Sequence, residues 1–269
     1  MNPDEMAARA ASFAQGASGY DRLRPEYPGT LFADLHDRAG RRLAGQVLEI
    51  GAGTGRATLP LARRGAVITV VEPSKDMLRI LSERLEAEAL ANRVTLRQAT
   101  FEDVDTTAVY DVVVAAQSFH WTNPATRWTR LASLLGASGI AFLFWNGWHL
   151  DSTRHDVEAI RAVYATYGNG LTSDLDDHRS ATSWVENEVD AEPALVLAES
   201  KTYQWSHRLA IEEYLGLLST TSQYAIAPSD LRGQLFGHLR SAVGPTAYLH
   251  GRTSMLVIHT TRGPAGSLS

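Results

Sequence analysis

The fold class of this chain is decided by the stretch Val47-Leu48-Glu49-Ile50-Gly51-Ala52-Gly53-Thr54-Gly55. Its first four residues predict a short buried strand, and three glycines follow within five positions. Glycine adopts backbone conformations that other residues avoid, and its missing Cβ lets a ligand approach the backbone closely. We therefore expect a strand-to-helix turn that binds a ligand. A tight turn without a ligand is the alternative.

The residues around this stretch alternate between strand-like and helix-like patterns. The β-branched run within 66–71 is typical of a parallel strand that is buried on both faces, and Ser74 is placed to cap the helix after it. The alternation predicts an α/β fold with a doubly wound, parallel sheet. The predicted strands cover 47–50, 66–71, 93–97, 110–115, 139–145, 194–205 and 254–261, and the predicted helices cover 54–64, 74–90, 122–135, 153–167, 210–219 and 229–243.

The pattern changes after Trp148, and this change sets the predicted domain boundaries. We predict that a helical cap is inserted into the sheet domain and that the chain then returns to the same sheet. The predicted segments are an N-terminal helical arm or lid (1–40), a binding core (41–149), the helical cap insertion (150–193), closing strands and helices of the core (194–262) and a tail (263–269).

The composition limits the possible functions. The chain has 269 residues, a net charge of −5 and no cysteine. The lack of cysteine excludes disulfide frameworks, thiolate nucleophiles and cysteine-bound zinc, and the negative charge gives no reason to expect a nucleic acid partner. The N-terminus carries Asp4 and Glu5, and no uncharged apolar run reaches the roughly 18 residues of a membrane span. We expect a cytoplasmic protein that contacts no membrane and acts on a small molecule.

Acidic residues follow the second and third predicted strands. Glu72 closes the second strand, where a carboxylate can accept hydrogen bonds from both hydroxyls of a ribose. Phe101 and Glu102 follow the third strand, and an aromatic ring beside a carboxylate can hold an adenine ring and accept its exocyclic amine. The alternatives are a solvated rim position for Glu72 and a helix N-terminus with favourably placed acids after the third strand.

The fourth predicted strand ends in the run Gln117-Ser118-Phe119-His120-Trp121. Ligands of open parallel sheets bind outside the carboxyl ends of the strands. Gln117, His120 and Trp121 are therefore expected near a ligand. For Trp121 an ordinary core position is the alternative.

These motifs resemble those of class I S-adenosylmethionine-dependent methyltransferases, and within them the small-molecule branch of trans-aconitate methyltransferase-like proteins. The resemblance covers 12–146 well and the C-terminal half only in outline, and it implies a Rossmann-like, mostly parallel seven-stranded sheet with an antiparallel last strand. It rests on the motifs Glu49-x-Gly51-x-Gly53-x-Gly55, Glu72, Phe101-Glu102, Gln117-x-x-His120-Trp121 and Tyr20-Asp21-x-x-Arg24-Pro25-x-Tyr27-Pro28.

The resemblance also implies a cofactor site and a substrate site. The first would hold S-adenosyl-L-methionine, with Glu49 near its ammonium group and Tyr20 or Trp121 near its cationic sulfonium. The residues expected to bind the cofactor are Tyr20, Arg24, Glu49, Gly51, Ala52, Gly53, Thr54, Gly55, Glu72, Pro73, Met77, Thr100, Phe101, Glu102, Gln117, Ser118 and Trp121. The residues expected to bind the substrate are Tyr27, His120, Trp145 and Trp148.

The implied reaction is methyl transfer to a small metabolite, with a hydroxyl or carboxylate oxygen as the favoured acceptor. A hydroxyl must lose a proton, and the ordinary histidine pKa of about 6.5 suits His120 to that task. The alternative is that His120 only fixes the turn before Trp121. Two other functions compete: a nicotinamide-dependent oxidoreductase, and a methyltransferase fold that binds the cofactor without methylating. We expect no metal ion, because no H-E-x-x-H motif occurs, and either a monomer or a homodimer.

Overall fold

A computed structural model of the chain describes residues 23–175 and 182–261. Tyr20, most of the predicted arm and the predicted tail lie outside these residues. The helices are α1 (Gly29–Ala39), α2 (Thr58–Arg63), α3 (Lys75–Ala87), α4 (Arg127–Leu134), α5 (Val157–Tyr167), α6 (Ser183–Val189), α7 (Ile211–Ser219), α8 (Ser222–Ala225) and α9 (Ser229–Val243). The strands are β1 (Val47–Ile50), β2 (Ile68–Val71), β3 (Val94–Arg97), β4 (Tyr110–Ala116), β5 (Leu135–Leu150), β6 (Leu195–Ala210) and β7 (Thr246–Thr260).

The strands form one seven-stranded sheet in the order β3-β2-β1-β4-β5-β7-β6. The pairs β3–β2, β2–β1, β1–β4 and β4–β5 are parallel, and Glu49 of β1 lies between Val70 of β2 and Val114 of β4. The sheet is mostly parallel with an antiparallel last strand, so the predicted Rossmann-like fold is confirmed. The strand order reverses beside β1, which is where such sheets bind ligands.

Several element boundaries differ from the predicted ones. Helix α2 begins at Thr58 rather than at residue 54, because the three glycines before it adopt positive φ angles that a right-handed helix does not allow. Helix α4 begins at Arg127 rather than at residue 122, because the Asn123 side chain and carbonyl hold the residues before it in a turn. The strands β5, β6 and β7 are longer than predicted.

The described chain forms two compact units, whose boundaries differ from the predicted domains. The sheet unit consists of 26–145, 182–203 and 253–261, and the helical unit consists of 23–25, 146–175 and 204–252. Helix α5 packs against α9 within the helical unit. Helix α6 belongs to the sheet unit, where Glu188 accepts hydrogen bonds from the Arg127 guanidinium. The predicted insertion 150–193 is therefore divided between the two units.

Each unit has its own core. In the sheet unit, β1 is buried along its whole length and apolar side chains cover both faces of the sheet. In the helical unit, Trp148 and Tyr214 are fully buried, and the hydroxyls of Tyr164 and Tyr224 form a buried hydrogen bond. Over residues 23–175 and 182–261, no helix combines the length and the apolar character that crossing a membrane requires.

Candidate active site

The three glycines after β1 lie in a left-handed backbone conformation, but for different reasons. Their φ angles are 65° at Gly51, 56° at Gly53 and 93° at Gly55. A Cβ at Gly51 would lie 2.5 Å from Cβ of Ser118, and a Cβ at Gly55 would lie 2.3 Å from Cδ1 of Leu81. At Gly53 the nearest atom would be Sδ of Met77, at 3.7 Å. A Cβ would thus clash with neighbouring protein atoms at 51 and 55, whereas at 53 it would make only an ordinary van der Waals contact.

The Glu72 carboxylate braces this turn from the end of β2. Oε2 accepts a hydrogen bond from Gly53 N–H at 2.9 Å, and Oε1 accepts one from Ser74 N–H at 2.9 Å. The side chain is only 6% exposed. Burial raises the pKa of Glu72, and the two backbone hydrogen bonds oppose that rise. Each oxygen keeps a second lone pair, so the carboxylate can still accept hydrogen bonds from a ribose.

A second carboxylate, Glu49, is fully buried within β1. Neither of its oxygens accepts a well-formed hydrogen bond from a described residue. Burial raises the pKa of Glu49 to about 7; the Thr58 hydroxyl lowers it and the Glu72 charge raises it further. Burying an ionised carboxylate without a partner costs free energy, and a cation beside it offsets part of that cost.

This burial predicts a pH dependence of stability for the ligand-free protein. The pKa of Glu49 rises on folding from its ordinary 4.5 to about 7, so stability is greatest below the lower value and is lost as the pH rises to the higher one. One pKa unit corresponds to about 1.4 kcal/mol, so we expect a loss of at most about 3–4 kcal/mol across this range. Urea unfolding should show that Glu49→Gln removes this loss. An identical pH dependence in both proteins would contradict the prediction.

The loop after β4 packs onto the glycine turn. Gln117 has a φ of 57°, which is rare for a residue other than glycine and is often found at functional sites. Its N–H donates to Phe144 O at 2.9 Å. Ser118 donates its hydroxyl hydrogen to Ile50 O, so its side chain supports the end of β1.

His120 lies in the short 3-10 turn of Phe119–Trp121 and is half-buried. The indole N–H of Trp145 donates to its Nδ1 at 3.0 Å. The turn itself is closed by backbone hydrogen bonds, one of them from Trp121 N–H to Ser118 O at 2.9 Å. His120 and Trp145, both expected to contact the substrate, are thus brought together.

Residues 100–102, which are expected to hold the adenine ring, lie after β3. The Phe101 ring is 3% exposed and packs against Phe119 in the core, so it offers no open face. Thr100 is held by the Asp103 carboxylate. The exposed Glu102 carboxylate accepts a hydrogen bond from Asn123 N–H at 2.8 Å. The contacts of Glu102 and Phe101 with the adenine ring stay predictions.

The other expected cofactor residues of the sheet unit lie in the glycine turn, at the start of helix α3 or in the loop after β4. Ala52 and Thr54 are buried within the turn, and Thr54 O accepts a hydrogen bond from Arg84. Met77 lies below Gly53, and Pro73 is exposed between Glu72 and helix α3. Trp121 is half-buried, with its ring 4.7 Å from that of His120.

Three further residues are expected to bind cofactor or substrate, and each has defined neighbours within its own unit. The Tyr27 ring is 9% exposed and packs edge-on against Phe144, and its contact with the substrate stays a prediction. Arg24 and Trp148 lie in the helical unit. There the Arg24 guanidinium lies 5.2 Å from the Trp148 ring and donates to the Thr220 hydroxyl at 2.9 Å. The Trp148 side chain is almost fully buried in the core of the helical unit.

Two contributors to the site were missed in the sequence. Thr58 is fully buried and acts on Glu49, and Arg56 forms an ion pair with Glu26 at 2.8 Å beside the glycine turn. Neither belongs to a recognisable motif, because each acts on a residue that is distant in the sequence. No short-range pattern marks such a pair.

The site suits a cationic ligand with hydroxyl groups better than a pyrophosphate. A pyrophosphate requires free backbone N–H groups at the glycine turn. Here Gly51 N–H donates to Val71 O, Gly53 N–H to Glu72 and Gly55 N–H to Ala52 O. The two buried carboxylates instead match the ammonium group and ribose of S-adenosylmethionine. In 23–175 and 182–261 no group of three or more potential ligand side chains is arranged to hold a metal ion.

Comparisons with known proteins agree with this chemistry. A family model for a methyltransferase domain matches residues 47–139. An uncharacterized methyltransferase of Mycobacterium tuberculosis (strain H37Rv) is 25% identical over 251 residues, which cover 93% of each chain. A probable S-adenosylmethionine-dependent methyltransferase of Saccharomyces cerevisiae is 27% identical over 152 residues, which cover 55% of this chain and 50% of the yeast protein.

Solved structures show the same fold. A protein assigned as a type II methyltransferase, from Anaeromyxobacter dehalogenans, superposes with a TM-score of 0.62 at 22% identity and covers 87% of this chain and 97% of its own. The predicted enzyme class and cofactor are confirmed. This chain has the class I methyltransferase fold, and the protein is an S-adenosylmethionine-dependent methyltransferase.

Proposed function

We propose that the protein transfers a methyl group to an oxygen atom, hydroxyl or carboxylate, of a small-molecule metabolite. The observation that supports the methyl-transfer part is the pair of buried carboxylates at this end of the sheet: Glu49 lies in β1, which leads into the glycine turn, and Glu72 accepts a hydrogen bond from Gly53 N–H within that turn. The choice of a small molecule is supported by the net charge of −5, which gives no reason to expect a nucleic acid partner. The choice of oxygen is supported by the resemblance to the trans-aconitate methyltransferase-like branch. A cytoplasmic location, no membrane contact and a monomeric or homodimeric state belong to the same proposal.

In this reaction each residue at the glycine turn would contact a different part of the cofactor. Glu49 would face the ammonium group of the cofactor, Glu72 the ribose, and Gly53 would allow close approach to the backbone. The bound cofactor supplies an electrophilic methyl group on a sulfonium. Since such a displacement needs an acceptor about 3–3.5 Å from the methyl carbon and in line with the leaving sulfur, the protein contributes mainly by positioning. The loop that carries Gln117 and His120 is the candidate for placing the acceptor.

The proposal is tested with S-adenosylmethionine that carries a deuterated methyl group. The protein is incubated with this cofactor and a fractionated small-metabolite extract, and products are identified by mass spectrometry. We expect a labelled ether or ester, which alkaline hydrolysis distinguishes because only the ester is cleaved. A label on nitrogen, carbon or sulfur would overturn the oxygen assignment. Cofactor binding without any labelled product would favour the fold that binds without methylating, and a thermal shift with NAD but not S-adenosylhomocysteine would favour an oxidoreductase.

A further inference from the structure

One hydrogen bond determines which nitrogen of His120 carries the proton. The indole N–H of Trp145 is a donor and has no acceptor atom, and it points at Nδ1 of His120 with an N···N distance of 3.0 Å. Nδ1 must therefore hold a lone pair. In the neutral ring the proton then resides on Nε2, so that Nε2 is a hydrogen-bond donor.

We propose that Trp145 is a positioning residue that holds His120 in the tautomer protonated at Nε2, and that His120 consequently donates a hydrogen bond to an oxygen of a carboxylate acceptor, which has no proton to lose. The new bond from the carboxylate oxygen to the methyl carbon forms as the bond from that carbon to sulfur breaks, and the sulfur keeps the electron pair, so the step needs no base. This inference rests on the proposed function, because the target of the donor is the methyl acceptor. Proton removal by Nε2 needs a lone pair on that atom. The required tautomer would place an Nδ1–H against the Trp145 N–H, so two donors would face each other.

The surroundings of Trp145 hold its indole ring in place. The ring is almost fully buried and packs edge-on against Trp184, with 5.7 Å between ring centroids and an interplanar angle of 78°. Trp184 is in turn covered by the Arg127 guanidinium, 4.4 Å from its ring. A donor fixed in this way selects one tautomer persistently, because Trp145 cannot rotate away without disrupting this packing.

The position of His120 places this donor at the predicted site. Its turn follows β4 directly, and Ser118 of the same loop contacts Gly51 of the glycine turn. A donor here can orient the acceptor so that its attacking oxygen lies in line with the methyl carbon and the leaving sulfur. Turnover would then depend on the N–H at this position and not on a basic nitrogen.

The tautomer is measured directly by NMR on ligand-free protein labelled with ¹⁵N-histidine, at about pH 8, above the ordinary histidine pKa of about 6.5. The spectrum of the His120→Gln variant identifies the His120 signals among those of the nine histidines. We expect a protonated Nε2 and an unprotonated Nδ1 in the native protein, and a mixture of tautomers in Trp145→Phe. A native His120 protonated at Nδ1 would overturn the proposal. This measurement does not depend on the substrate.

Kinetics with the labelled product then separate a donor from a base. His120→Gln places an amide N–H near the position of Nε2 but has no basic nitrogen, whereas His120→Ala has neither. For a donor we expect His120→Gln to keep turnover within about tenfold of native and His120→Ala to lose substantially more. Equal losses of about 10²–10⁴ in both variants would establish a base and overturn the proposal. If no metabolite is methylated, the proposed function fails while the tautomer result stands.

Discussion

Replacing Gly53 with valine is expected to weaken the binding of S-adenosylhomocysteine by more than about 100-fold, or about 2.7 kcal/mol, while the protein remains folded. A Cβ at residue 53 meets no atom closer than 3.7 Å, so the protein interior tolerates it. The added side chain would occupy the space in which the cofactor approaches the backbone. Titration calorimetry measures the affinity, and circular dichroism verifies the fold.

Gly65→Val is the matched control for this prediction. Gly65 also has a positive φ, 94°, and a Cβ there would have nothing within 4 Å. Both variants bear the cost of a left-handed residue, about 1–2 kcal/mol and more for a β-branched side chain. Only the variant at Gly53 should lose binding. Unchanged affinity in Gly53→Val, or equal losses in both, would contradict the assigned cofactor position.

Replacing Glu72 with alanine is expected to impair both stability and cofactor binding. The N–H groups of Gly53 and Ser74 would lose their acceptors, and a buried polar group without a partner costs about 1–3 kcal/mol. Each lost hydrogen bond from a ribose hydroxyl to the carboxylate would cost a further 1.5–3 kcal/mol or so in binding. We therefore expect affinity for S-adenosylhomocysteine to fall at least about tenfold, together with a lower midpoint of urea unfolding.

Asp76→Ala provides the control for the loss of an acidic group near this helix. Asp76 lies in the first turn of α3 and is exposed. Its removal therefore changes the charge near the helix N-terminus without removing a hydrogen bond to the glycine turn. Its effect should stay within about 0.5 kcal/mol. A Glu72→Ala protein with native affinity would show that the carboxylate only braces the turn and does not bind the cofactor.

Short-range patterns were sufficient for the elements at the centre of the fold. The strand 47–50 matches β1 residue for residue, and Ser74 caps α3 by accepting a hydrogen bond from Met77 N–H. These features depend on burial along a few consecutive residues and on local hydrogen bonds, so the sequence encodes them directly. Helix α2 starts later than predicted. The residues just before Thr58 have helix-forming side chains, but the positive φ angles of the glycines prevent a helix there.

The tertiary structure alone decided which side chains contact each other at the candidate site. The glycine spacing and Glu72 indicated a ligand at this turn, because both lie at strand ends that a parallel sheet brings to one edge. No pattern in the chain showed that Phe101 would be buried or that the Trp145 indole would meet Nδ1 of His120 across 25 residues. Such contacts depend on how side chains from separate elements pack. Residues that are far apart in the sequence become neighbours only when the sheet forms, so a local pattern does not show which of them will meet.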